Sequence, residues 1–202
     1  MIHYLLKSIS YIFHPLLMPL LGVVFYFSKT PRFIPEPVMK AKIFSVTILT
    51  LILPILLYFL LKTIKRVESL ELKTSKERII PLILNVLIMI LILKRVLPYN
   101  EIPELYYYYL GILFSTLTCL FLAILRFKAS IHMIGSAGFF MFAIALSINF
   151  KININGTIAL MCIIMGAIAT SRLHLKAHTN AELLVGFFVG LLPQLVLLNY
   201  WL

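Results

Sequence analysis

Between Ser171 and Glu182 the chain reads SRLHLKAHTNAE, which places Arg172, His174, Lys176, His178 and Glu182 within a dozen residues. His174, His178 and Glu182 stand at i, i+4 and i+8, so a helix beginning near His174 would carry them on one stripe. A carboxylate one turn from an imidazole holds its N–H, fixes the tautomer and raises the basicity of the other ring nitrogen. A nucleophilic or general-base histidine needs that arrangement. Arg172, just ahead of this helix, offers a planar fork to an oxyanion. Together these groups suit attack on a phosphoryl group.

Two other stretches could serve the same chemistry. In RFKASIHMIGSAG, residues 126–138, Ser130 and His132 precede a helix whose N-terminal amides and small residues would approach an anion closely. His132 there would give a proton to a leaving oxygen. In LELKTSKERIIP, residues 70–81, Arg78 with Lys73 or Lys76 would close around the same phosphate. Phosphoryl transfer asks mainly for positioning and charge neutralisation, so two histidines with two or three cations form a sufficient set. His14, ahead of Pro15 in FHPLLMP, either caps the site from the first apolar run or sits at an interface.

The elements that must hold these residues are apolar. The 202 residues are 62% hydrophobic and 12% charged, roughly half the charged share of a soluble domain, and several runs reach the ~20 residues that a hydrocarbon core demands. The expectation is one all-α domain, residues 1–202, built as a polytopic transmembrane bundle. Seven candidate spans fall at about 9–28, 41–63, 79–97, 104–126, 131–149, 156–172 and 182–201. Residues 1–8 would lie along the interface or extend the first helix, and are read as retained because no small-residue cleavage signal follows. Cys119 and Cys162 lie inside apolar runs and read as packing residues. Gly186 and Gly190, spaced G-x-x-x-G, read as a close helix contact.

Seven crossings would put the N-terminus and the breaks after spans two, four and six on one face. His3, His14, His132, His174 and His178 all fall there, as do Arg78, Arg126, Lys128 and Arg172. Ionisable groups gathered at membrane depth point to function. The formal net charge of +11 indicates anionic membrane lipid or a phosphate-bearing substrate as partner, and no nucleic acid. That face carries eleven Lys and Arg against seven on the other, but removing Arg78, Lys128, Arg172 and Lys176 as site residues leaves seven against seven. The positive-inside rule therefore assigns no orientation.

At these residues the chain resembles the PAP2 superfamily, the membrane-embedded type 2 phosphatidic acid phosphatases that share a core with vanadium haloperoxidases. The family motif S-R-x5-H-x3-D is matched by Ser171, Arg172 and His178, with Glu182 in place of Asp. The motif P-S-G-H is matched by Ser130 and His132, with Ala129 and Ile131 where Pro and Gly are usual. The motif K-x6-R-P keeps Arg78, with Pro81 three residues on and Glu71 at the Lys position. The resemblance covers about residues 70–190 and implies a PAP2-like helical core. It implies that His178 forms a phosphohistidine, that Glu182 orients it, and that His132 protonates the leaving group. Arg172, Arg78 and Ser130 would hold the phosphate, with Lys73 or Lys76 replacing the missing Lys, and no metal or other cofactor would be required. Ser171, His174 and His14 would stand just behind these groups; for His174 an exposed loop position is the plainer reading.

The substrate class would be a phosphorylated lipid: a polyprenyl diphosphate, phosphatidic acid, phosphatidylglycerol phosphate or lipid A phosphate. Composition suggests a bacterial inner membrane. One alternative is a degenerate member that binds a phospholipid without hydrolysing it. Another is a metal enzyme using His174, His178, Glu182 and His132, for example with zinc, although an arginine against the same histidines favours an anion. A transporter or a purely structural bundle fits less well, because the ionisable groups collect at one face.

Overall fold

The computed structural model describes residues 2–67, 72 and 74–202. Among these the chain is all helical: α1 (Ile2–Ile12), α2 (Leu17–Lys29), α3 (Glu36–Thr47), a π-helical turn (Ile48–Ile52), α4 (Leu53–Thr63), α5 (Ser75–Arg95), α6 (Pro103–Ile124), α7 (Ile131–Phe150), α8 (Asn155–His174) and α9 (Asn180–Leu197), closed by a 3-10 turn (Leu198–Tyr200).

Among the described residues five helices are long and apolar enough to cross a membrane: the continuous Glu36–Thr63, Pro103–Ile124, Ile131–Phe150, Asn155–His174 and Asn180–Tyr200. A sixth is reached if α1 and α2, bent by 62° at their junction, count as one broken span. The outer surface is correspondingly greasy, with Phe44, Leu56, Phe59, Ile163 and Val196 exposed, as a bilayer solvent permits and water does not. The expected third span, 79–97, differs. Lys76, Glu77 and Arg78 open α5 and Lys94 and Arg95 close it, so its uncharged stretch, residues 79–93, is shorter than the ~20 residues a hydrocarbon core takes. The first run also differs, because residues 9–28 are divided at His14 and Pro15, and residues 2–12 form a helix of their own.

The centre of the bundle is α7, packed on α9, α8 and α2, with α6 joining α5 to α9. Glycine makes the α7–α9 contact possible. A Cβ on Gly190 would collide with the Ile134 carbonyl, and one on Gly186 would stand 2.8 Å from the Ser130 carbonyl oxygen. The G-x-x-x-G pair thus meets its expected role.

Polar groups gather at the two ends of the bundle. At one end Arg32 pairs with the buried Glu104 at 2.6 Å, and Tyr26 and Asn149 also bond this carboxylate. Lys42 nearby bridges Glu101 and the Val96 carbonyl. At the other end stand the C-termini of α6 and α8, the N-termini of α5, α7 and α9, and the residues singled out for chemistry.

Candidate functional site

The site is built where three helix junctions are tied together by backbone hydrogen bonds. The Arg78 guanidinium, from the first turn of α5, donates from Nη1 to the Ala129 carbonyl at 2.7 Å and from Nε to the Leu72 carbonyl at 3.1 Å. Lys128 Nζ donates to the Ala177 carbonyl at 2.8 Å. The Ser130 N–H donates to the Glu182 carbonyl at 3.0 Å. Stretches about fifty residues apart in sequence are thereby held as one unit.

His178 and Glu182 come together through local capping chemistry. Thr179 caps α9, its hydroxyl accepting from the Glu182 N–H, and the Glu182 carboxylate returns to the Thr179 N–H at 3.0 Å. This is the reciprocal capping box, written in the sequence as T-x-x-E. The same oxygen, Oε2, accepts from His178 Nδ1 at 2.9 Å. The carboxylate accepts only, so Nδ1 carries the hydrogen and Nε2 is left as the basic nitrogen. Burial, and then the Arg78 charge, hold the His178 imidazole below the ordinary histidine range, while Glu182 acts in the opposite direction. The ring is therefore neutral near neutral pH.

His178, His132, Arg172, Arg78 and His14 all line one cavity of about 520 Å³, together with Ser10 and Lys7 of α1. His132 opens α7, and its Nε2 donates to the Ser10 carbonyl at 3.1 Å. A carbonyl only accepts, so the second hydrogen of a charged His132 would sit on Nδ1. Arg172, buried in the last turn of α8, reaches the Ser10 hydroxyl at 3.4 Å. The His14 ring lies 5.6 Å from that of His132. Ser130, expected to hold the phosphate, is completely buried behind the cavity and does not line it, and its hydroxyl finds no partner among the described residues.

Other expected positions fall away from the cavity. Lys76 is exposed and does not line it. Lys73 lies outside the described residues. Ser171 is buried, its hydroxyl bonding Ser10 Oγ at 2.7 Å and the Leu6 carbonyl at 2.6 Å, so it fastens α1 to α8. The single stripe of His174, His178 and Glu182 is not formed, because α8 stops at His174 and α9 starts at Asn180. Between them Lys176 takes a left-handed φ of 50°, and the Ala177 N–H bonds back to the Arg172 carbonyl. The exposed His174 faces the His3 ring at 5.7 Å. Among the described residues no three His, Cys, Asp or Glu side chains gather as a metal would need, so the zinc alternative finds no ligand set there.

Ser10 is a contributor that the sequence does not single out. It touches Arg172, Ser171 and His132, and its signal is a small polar residue inside an apolar run, the type that bonds between membrane helices. Lys128, counted from sequence among the cations of a site, stands close enough to His178 to depress its protonation. Comparison with family models, with curated proteins and with solved structures gives no match.

Proposed function

We propose that this protein is a divergent PAP2-like membrane phosphatase that removes phosphate from a phosphorylated lipid, in a bacterial inner membrane. His178 Nε2 attacks phosphorus and the P–O bond to the lipid breaks. The lipid oxygen takes the electron pair and, from His132 in its charged form, the Nδ1 proton, which leaves His132 neutral. Water then attacks the phosphohistidine, giving its proton to His132 and releasing inorganic phosphate. Arg172 and Arg78 neutralise the oxygens. Polyprenyl diphosphates, phosphatidic acid, phosphatidylglycerol phosphate and lipid A phosphates are the substrates to test.

The observation that carries this reading is that His178, held by Glu182, lines one cavity with Arg172, Arg78 and His132. It is tested with purified protein by phosphate release from these lipids in the presence of chelator. Release is expected to survive chelation, to be inhibited by vanadate, and to vanish in His178→Ala. Chelator-sensitive release, or release unchanged in His178→Ala, would sink it.

A second reading, a phospholipid-binding protein without turnover, is favoured by one specific feature. Arg78 spends Nε and Nη1 on backbone carbonyls, and His132 Nε2 is already engaged by Ser10. Lipid binding without phosphate release would select it.

A further inference from the structure

We propose that the cavity holds a phosphate or diphosphate carried on a single long apolar chain, with the part of the chain nearest the head inside the helix bundle and the head at Arg78, Arg172 and His178. What happens to the head rests on the phosphatase reading; the chain rests on the cavity alone. The charged groups occupy one end. From there the cavity follows α5 from Pro81 to Met89 and α7 from His132 to Phe139, about 10–12 Å of helix in each case. Leu57, Leu82, Leu84, Ile88, Ile112 and Phe139 wall this part. Most of its polar groups are already engaged: Thr50, Ser115 and Thr116 are turned back on carbonyls of their own helices, Tyr108 and Gln194 donate to the Met18 and Tyr108 carbonyls, and Asn85 donates to Thr116 Oγ1, while Tyr58 adds a further hydroxyl to the wall. About 520 Å³ is the size of a pocket for one drug-sized ligand. It accommodates a head group with the first part of one chain, the remainder leaving toward lipid, and is too narrow for two chains side by side.

The α4 side is where such a chain would arrive. Along the apolar part Ile55 and Phe59 of α4 are 40% and 56% exposed, whereas Leu82, Ser115, Thr116 and Phe139, which line it from α5, α6 and α7, are buried; the other exposed large apolar side chain of the lining, Tyr11 of α1 at 58%, belongs to the charged end. The cavity therefore opens sideways, toward lipid. The same wall contains the π-helical turn. Pro54 has no N–H to give the Thr50 carbonyl, and the Leu53 N–H bonds five residues back to Ile48. Such turns are enriched at ligand sites, and Thr50 from this one lines the cavity.

The test measures binding to the His178→Ala protein, which leaves the lipid intact. Native mass spectrometry compares oleoyl lysophosphatidic acid, dioleoyl phosphatidic acid and glycerol 3-phosphate. The one-chain lipid is expected to bind about tenfold or more tightly than either of the others. Leu84→Trp and Leu57→Trp, which fill the cavity away from the charged end, are expected to remove that advantage and leave glycerol 3-phosphate binding unchanged. The comparison among ligands needs neither Trp variant, so it stands if one fails to fold. Equal binding of the one-chain and two-chain lipids, or of lipid and glycerol 3-phosphate, overturns the assignment, as does one-chain binding unaffected by both Trp variants. Phosphate release by the unsubstituted protein is followed in parallel. No release from any substrate, with one-chain selectivity retained, would overturn the phosphatase reading and keep the pocket.

Discussion

His178 illustrates how much one carboxylate oxygen decides. Glu182 Oε2 serves the Thr179 N–H and the His178 ring at once, so the bond that starts α9 also sets the tautomer of the proposed nucleophile. The imidazole is depressed first by burial and then by Arg78, with Glu182 opposing them. A depressed histidine keeps its neutral, reactive form to lower pH, so the acid limb of kcat/KM is expected below the ordinary imidazole value of about 6.5. Glu182→Gln removes the opposing negative charge. It should move that limb to still lower pH while reducing the rate by about 10²-fold or more, as a pH–rate profile will show. An acid limb that moves upward in the variant would contradict this assignment. His178, Glu182, Arg172, Arg78 and His132 were legible because their spacing matched a known pattern. Ser10 was not, because nothing local in KSISYIF tells which serine meets a helix more than 160 residues away.

The helices were legible from their apolar runs, but several of their ends were not. α4, α6, α7 and α8 are each followed by a basic residue in the left-handed region, Lys65, Arg126, Lys151 and Lys176, where glycine is the usual signal. A cation there complements the C-terminal dipole, which helps this choice and hides the stop from a search for glycine. The break at His14 and Pro15 was equally hidden, because residues on both sides of it are apolar. Glycine is informative at the α7–α9 contact instead. Gly190→Ala forces its Cβ against the Ile134 carbonyl and is expected to destabilise by about 1–3 kcal/mol. Gly138→Ala meets only an ordinary 3.5 Å contact and should be close to neutral in spacing. Thermal unfolding in detergent will separate the two, and equal melting temperatures would contradict the packing described.

The whole molecule keeps a buried ion pair and the proposed phosphate site at opposite ends. The buried Glu104 with Arg32, Tyr26 and Asn149 joins α2, α6 and α7 far along these helices from His132 and His178. Arg32→Ala leaves that carboxylate without its cation and should cost about 2 kcal/mol of stability. The melting temperature should fall, while kcat/KM measured well below it stays unchanged. Loss of activity at a temperature where the variant is fully folded would show that the ends are coupled. The bond between Ser10 and Ser171 has another consequence, for biosynthesis. During synthesis α1 emerges early, yet its partner helix is made some 160 residues later. At elongation rates of ~5–20 residues per second, the first helix waits on the order of ten seconds or more in or beside the bilayer before its docking surface exists. The site is thus completed as a late step of assembly, when α8 arrives to receive α1.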